Sequence, residues 1–304
     1  MENTEAEQIQ IALNSAISQI KWRLKPSSKR RLEIDVLALC SRMRPVVMVD
    51  YGGKMPELQD RLCSLIELLH KESTFFKQLR VMVIEDMIYL VNISEFAEYV
   101  TWSLSSDAKQ FFVDLEHDPP EMILADAQTL AVKELVSVYH LFSSVFTRDG
   151  VNENAIQGQS EDLLKHAESS SHDKISEFSE VLDLSSCLQD YQITIPTLNG
   201  WLLGYPVIYL FGKDHISDAI YNLSTKPLHL FRVLFRRNPS HTNPSPLEEL
   251  MSFSVPYDLS INGRNEPWAE AFWLQMQAKQ ERCKQVWRSL QMEVGECYPQ
   301  AIAL

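Results

Sequence analysis

Residues 45–69 read PVVMVDYGGKMPELQDRLCSLIELL, and this stretch decides the fold class. An apolar run over 45–49 ends in the turn DYGG at 50–53, after which leucines recur at helical spacing. The apolar run has the length and β-branched content of a short buried strand, and the leucine spacing predicts an amphipathic helix. The stretch therefore reads as a strand, a turn and a helix in succession.

The same alternation of strands and helices continues toward the C-terminus. Strands are predicted at 79–85, 87–92, 111–115, 207–211, 228–235 and 251–255, and helices at 94–104, 122–146, 197–203 and 266–294. Strands separated by helices favour an α/β fold with a mixed, largely parallel sheet flanked by helices, into which a hairpin over 79–92 brings an antiparallel pair. Amphipathic patterns before Pro45 predict two more helices, so residues 1–43 form an N-terminal helical extension.

Residues 44–304 are interpreted as a single α/β domain with one interruption. The segment 148–180 holds six serines and eight acidic residues against three basic ones, with few large apolar side chains. Such a composition buries too little apolar surface to offset the entropy of ordering the chain. We therefore expect a flexible acidic insertion there.

The overall charge and the cysteines limit the classes of function. The chain has 304 residues with 28 Lys+Arg and 41 Asp+Glu, a net charge of −13, which gives no general attraction to nucleic acid or anionic lipid. Its five cysteines form no C-x-x-C pair, so neither a disulfide framework nor a cysteine zinc site is expected. The acidic N-terminus has no signal-peptide pattern, and the longest apolar run is too short to cross a membrane. We expect a soluble intracellular protein, cytoplasmic or nuclear and not secreted.

Residues 21–44 depart from this acidic balance. They carry eight basic residues against Glu33 and Asp35, a local charge of +6. Such a segment is typical of a solvated helix face that balances the acidic remainder, which is the interpretation preferred here. A nuclear-import patch or a phosphate-contacting surface is the alternative that the sequence leaves open.

Four strings carry a resemblance to a known family: Arg44-Pro45, LLGYPV at 202–207, SFSVP at 252–256 and AIAL at 301–304. With them the chain resembles, from about residue 34 onward and outside 148–180, an uncharacterised family of animal proteins known as a chromosome 1 open-reading-frame product and its homologs. The resemblance implies kinship and carries over no activity, cofactor, partner or site residue. Within LLGYPV we expect Gly204 to end a helix with a positive φ, an architectural role.

The named catalytic motifs are missing. The sequence has no phosphate-binding G-x-x-x-x-G-K-[ST], no G-x-G-x-x-G, no H-E-x-x-H and no G-x-S-x-G. The DYGG turn shares two glycines with the first loop of nucleotide-fold methyltransferases but lacks the third, and an ordinary turn is the preferred explanation. We therefore assign no catalytic, cofactor-binding or metal-binding residue from motifs.

Four residues at predicted strand ends support an alternative. Asp50, Asp114, Asp214 and His215 follow three strands whose carboxyl ends would meet at a ligand-binding edge if the sheet were parallel. They could bind a divalent cation or act as general acid and base. Acids at strand ends also serve as turn and helix-capping residues, which is the simpler explanation. The leading hypothesis is thus a non-enzymatic interaction protein with an unidentified protein partner, and the alternative is a small-molecule or metal-dependent enzyme using these four residues.

Overall fold

The computed structural model describes residues 1, 3–105, 108–124, 129–147, 150–157, 181–237 and 246–297. The helices are α1 Asn3–Gln19, α2 Pro26–Cys40, α3 Glu57–Glu72, α4 Ile93–Ser103, α5 Leu130–Val145, α6 Glu153–Gln157, α7 Ser185–Leu188, α8 Ile195–Leu202, α9 Ile216–Thr225 and α10 Pro267–Arg282. The strands are β1 Val46–Met48, β2 Leu79–Ile84, β3 Met87–Asn92, β4 Phe111–Asp114, β5 Glu121–Leu124, β6 Phe146–Thr147, β7 Gly150–Val151, β8 Val181–Asp183, β9 Val207–Leu210, β10 Leu228–Arg237, β11 Glu248–Pro256 and β12 Trp287–Cys297.

The strands form several small sheets, and the mixed α/β class is confirmed. The orders are β1-β3-β2-β8, β5-β4-β9, β11-β10-β12 and β6-β7. In the described part of the chain only β2 with β8 and β4 with β9 are parallel pairs. The antiparallel hairpin of β2 and β3 is confirmed, but the expectation of a largely parallel sheet is wrong, because β4 also pairs antiparallel with β5 and β10 takes both its neighbours antiparallel.

Two predicted helices contain strands. The helix predicted over 266–294 ends at Arg282, and β12 follows it and pairs along nearly the whole of β10. The helix predicted over 122–146 begins only at Leu130, where the Thr129 hydroxyl accepts a hydrogen bond from the Val132 amide, and β5 precedes it. In both places the apolar spacing fits a helix and a strand equally well, and pairing with a distant strand decides.

The N-terminal helices pack onto the rest of the fold. Ile9 and Leu13 of α1 belong to the same apolar cluster as Leu62 and Leu65 of α3. From α2, Arg30 pairs with Glu248 of β11 at 2.5 Å. These contacts bury the apolar faces of both helices against the body of the protein.

The interpretation of residues 21–44 as a solvated face is wrong for several of its arginines. Besides the Arg30 ion pair, Arg31 donates to the carbonyl oxygens of Glu249 and Leu250, each at 3.1 Å. Arg44 is only 5% exposed. Part of the local positive charge therefore holds α2 and the segment after it against β11.

Several predicted segments lie outside the described residues. They are most of the acidic segment, 148, 149 and 158–180, most of the loop at 238–246, and the chain end 301–304. The described part of the acidic segment contains β7 and α6. Among the described residues no helix is both long enough and apolar enough to cross a membrane.

Candidate functional site

A cavity of about 380 Å³ lies between α4 and α10. The start of α4 is fixed by Asn92, whose side-chain oxygen accepts from the Glu95 amide at 3.2 Å and whose side-chain nitrogen donates to the Leu39 carbonyl at 3.1 Å. Residues separated by three or four positions share a helix face. Each helix therefore presents one stripe to the cavity, Glu95, Tyr99 and Trp102 from α4 and Phe272, Met276 and Lys279 from α10.

Arg44 forms part of the floor of this cavity and has little bonding of its own. It is 5% exposed, and its one hydrogen bond within the described chain is a long one of 3.4 Å from Nη1 to the Leu250 carbonyl. Its Nε is buried and has no partner among the described residues. Burial lowers the pKa of Arg44, while the negative charge of Asp35 acts in the opposite direction.

Asp35 does not neutralise Arg44 directly, because its carboxylate bonds elsewhere. It forms an ion pair with Arg31 at 2.9 Å and accepts a hydrogen bond from the Tyr51 hydroxyl at 2.7 Å. Desolvation raises the pKa of Asp35, and the charges of Arg31 and Arg44 oppose that rise. Arg44 thus lines the cavity as a buried residue, and most N–H donors of its guanidinium have no acceptor in the described chain.

Lys279 and Glu95 bring opposite charges to the same cavity without bonding each other. Lys279 donates one hydrogen bond of 3.4 Å, to the Met43 carbonyl. Desolvation lowers the pKa of Lys279, and desolvation raises the pKa of Glu95, which is 9% exposed. Within the described ranges, neither group has an oppositely charged side-chain atom within the 4.0 Å that defines an ion pair.

The rest of the cavity wall is apolar and aromatic. Phe272 and Met276 are buried against the core, and Trp102 is partly exposed at the rim. The Tyr99 hydroxyl donates to the Trp201 carbonyl at 2.8 Å, so this residue offers mainly its ring. Apolar walls with a few convergent charged groups are typical of a ligand-binding pocket.

Two of the strings that carry the family resemblance, Arg44-Pro45 and LLGYPV, contribute to the wall of this cavity. Arg44, Pro45 and Gly204 line it, together with Met251, which directly precedes SFSVP. Gly204 has φ +71°, so its predicted positive φ is confirmed. The amides of residues 204 and 205 donate to the carbonyls of Trp201 and Gly200 at 2.9 and 3.0 Å, which closes the end of α8.

The strand-end residues are only partly brought together. Because β4 and β9 are parallel, Asp214 and His215 line one small cleft of about 160 Å³ with Glu116, beside the end of β4. Asp114 lies buried at that strand end, and Asp50 is exposed after β1 in another sheet.

The contacts of these residues are those of turns. Asp114 accepts from the Glu116 amide at 2.9 Å, and its other oxygen lies 3.1 Å from the His117 ring. His215 lies 2.9 Å from Asp218 in the first turn of α9 and 3.8 Å from Glu116. In the described part of the chain no group of three His, Cys, Asp or Glu side chains is arranged to hold a metal ion.

The DYGG turn is filled by the protein itself. Gly52 has φ +85°, and its carbonyl accepts a hydrogen bond from the Trp22 indole at 2.9 Å. A Cβ on Gly52 would lie 2.8 Å from Leu24. The glycine is needed for a turn packed under Trp22, which supports the structural explanation over a cofactor loop.

Comparison with known proteins identifies a family. The family model described as "Domain of unknown function (DUF4504)" matches residues 14–304, and so covers the cavity and every strand and helix around it. The chain belongs to the DUF4504 family. The match begins at residue 14, before the expected start near residue 34, and so it includes the end of α1 and all of α2. Neither the curated proteins nor the solved structures contain a significant match.

Three residues of the DUF4504 cavity were missed in the sequence. Lys279 has a signal that could have found it, because it stands between Met276 and Cys283 in the apolar stripe of α10, where a lysine is out of place. Glu95 and Trp102 have no such signal, since they lie on the face of α4 next to its apolar stripe. Arg44 was seen as one of many basic residues and as part of the Arg44-Pro45 string, and not as a site residue.

Proposed function

We propose that this DUF4504 protein is a non-enzymatic binding protein whose cavity takes a ligand with an anionic group joined to an apolar body. The observation that carries the proposal is the buried Arg44, which lines the cavity and whose side chain makes a single long hydrogen bond of 3.4 Å within the described chain. A buried charge without a partner costs several kcal/mol, and protein interiors rarely retain one. An anion in the cavity would supply the missing acceptor, with Lys279 as a second cation.

The side chains that form the cavity walls indicate what the apolar part of the ligand is. Phe272 and Met276 on one side and the rings of Tyr99 and Trp102 on the other give a slot that favours an aromatic or aliphatic group. The volume of about 380 Å³ lies within the range of about 300–1,000 Å³ usual for small-molecule sites. A small amphipathic molecule, or one terminal side chain of a protein partner, has the right size.

The enzyme alternative receives less support. Asp50 lies in a different sheet from Asp114, Asp214 and His215, and Asp114 and His215 are engaged in turn and helix-start contacts. A catalytic site would need these groups aimed at one substrate position. The cleft of about 160 Å³ beside Glu116 offers little room for one.

The cellular location, the animal family and the single-domain organisation are also proposals. Cysteine usage supports an intracellular protein, cytoplasmic or nuclear, and the four strings support the animal branch named by its chromosome 1 open reading frame. A single α/β domain over 44–304 is supported because the parallel pairs β2 with β8 and β4 with β9 join the parts before and after the acidic segment.

Isothermal titration calorimetry with 3-phenylpropionate, a carboxylate on an apolar ring, tests the binding function. We expect saturable binding to one site, weakened about tenfold or more in Lys279→Met because a charge-assisted hydrogen bond is lost. The matched control is Lys284→Met, the same change at an exposed lysine that pairs with Glu281 at 3.3 Å, outside the cavity wall. Absence of binding at millimolar concentration of both 3-phenylpropionate and L-phenylalanine, which adds an ammonium to the same carboxylate and ring, or an equal effect of the two variants, would refute the proposal.

A further inference from the structure

The cavity carries a buried carboxylate in addition to its cations. Glu95 and Glu98 both line it from α4, and Glu95 is 9% exposed. A simple anion would leave the Glu95 carboxylate without a partner and would be repelled by it. The complete set of charges therefore matches a ligand that bears both signs.

The charged groups gather at one end of the cavity. Glu95 lies in the first turn of α4 and interacts electrostatically with Lys279 and Arg282 in the last turn of α10. Trp102 is seven residues after Glu95, and Phe272 is seven residues before Lys279, each about 10 Å along its helix. The cavity thus has a charged end and an aromatic end.

We infer that the ligand is an apolar α-amino acid, its carboxylate facing Arg44 and Lys279, its ammonium facing Glu95, and its side chain lying toward Trp102 and Phe272. This inference rests on the proposed binding function and names the ligand class. An α-amino acid places a carboxylate and an ammonium on one carbon, so a single small head group presents both charges to the charged residues at one end of the cavity. Both buried charges then gain a charge-assisted hydrogen bond.

Other head groups fit less well. A phosphate dianion would meet two carboxylates, Glu95 and Glu98, and like charges disfavour its binding. An amine without a carboxylate would leave the Arg44 guanidinium with only its long hydrogen bond to the Leu250 carbonyl. A neutral apolar molecule would satisfy neither group.

Three ligands with one phenyl ring test the inference by calorimetry: L-phenylalanine, 3-phenylpropionate and 2-phenylethylamine. They differ only in carrying both charges, the carboxylate alone or the ammonium alone. We expect L-phenylalanine to bind the wild-type protein about tenfold or more tightly than either analogue. This comparison uses the full chain and needs no variant, so it does not depend on the folding of a mutant.

The variant Glu95→Gln then tests the contribution of the ligand's ammonium separately from that of its carboxylate. It should weaken L-phenylalanine about tenfold while leaving 3-phenylpropionate unchanged or tighter, whereas Glu270→Gln, an exposed glutamate of α10 outside the cavity wall, should change neither. If 3-phenylpropionate binds as tightly as L-phenylalanine, or if Glu95→Gln leaves L-phenylalanine unaffected, the amino-acid inference falls and the anion site stands. If none of the three ligands binds, both proposals fall.

Discussion

Replacing Gly204 by alanine isolates the energetic cost of one backbone conformation. Gly204 ends α8 with φ +71°, in the left-handed region, and no atom lies within 4 Å of the position that an added Cβ would occupy. The substitution therefore introduces no collision. Its whole effect must come from the backbone.

The magnitude follows from two opposing contributions. A non-glycine residue in the left-handed conformation costs about 1–2 kcal/mol. Alanine also restricts the unfolded chain, which offsets about 0.4–1 kcal/mol of that cost. We expect Gly204→Ala to lower the free energy of unfolding by about 1 kcal/mol, which for a protein of this size lowers Tm by about 2 °C.

Urea denaturation with thermal unfolding as a second probe measures this change. The matched control is Gly295→Ala in β12, where no atom lies within 4 Å of an added Cβ and φ lies outside the left-handed range. That variant keeps the unfolded-state contribution and lacks the strain, so its free energy of unfolding should stay equal or rise. Equal effects of the two variants would refute the argument that positive φ at residue 204 is what selects glycine.

Three further outcomes are expected. Gly52→Ala should cost about 2–3 kcal/mol, more than Gly204→Ala, because φ is +85° and the new Cβ lies 2.8 Å from Leu24; equal costs by denaturation would contradict this. Tyr209→Phe removes a 2.9 Å hydrogen bond to a β11 carbonyl and should cost about 1 kcal/mol, against which an unchanged unfolding curve would count. Limited proteolysis should cut within 148–180 and leave fragments that stay together, whereas fragments that separate on gel filtration and fold alone would show two domains.

Local sequence patterns predicted the structural elements that are determined by residues close together in the sequence. The strand and helix of 45–69, the hairpin of β2 and β3, and the left-handed Gly204 follow from periodicity, short turns and glycine chemistry within a few residues of each other. Strand 287–297 was predicted as helix because Trp287, Leu290 and Val294 recur at helical spacing as well as within a strand. Only its pairing with β10, which lies about fifty residues earlier, decides between the two.

Local sequence patterns could not predict the sheet arrangement or the cavity, because both depend on contacts between residues far apart in the sequence. β8 joins β2 across about one hundred residues, and no short-range signal records that pairing. The cavity draws Arg44, Glu95 and Lys279 from three distant segments, and of the three only Lys279 is unusual in its local sequence. Burial is the property that makes them unusual, and burial is set by the whole fold.

Two arginines, Arg31 and Arg44, share the negative charge of one carboxylate, that of Asp35. Arg31 fastens α2 to β11 and takes Asp35 as its ion-pair partner, so Asp35 reaches Arg44 only through the longer-range attraction between their charges. If Arg44 served only to hold β11, its 3.4 Å hydrogen bond to the Leu250 carbonyl would be the only side-chain hydrogen bond that offsets the loss of its hydration. A methionine would fill the same space without that cost. The retention of a guanidinium with free donors beside an aromatic-walled cavity is best explained by an acceptor that arrives with the ligand.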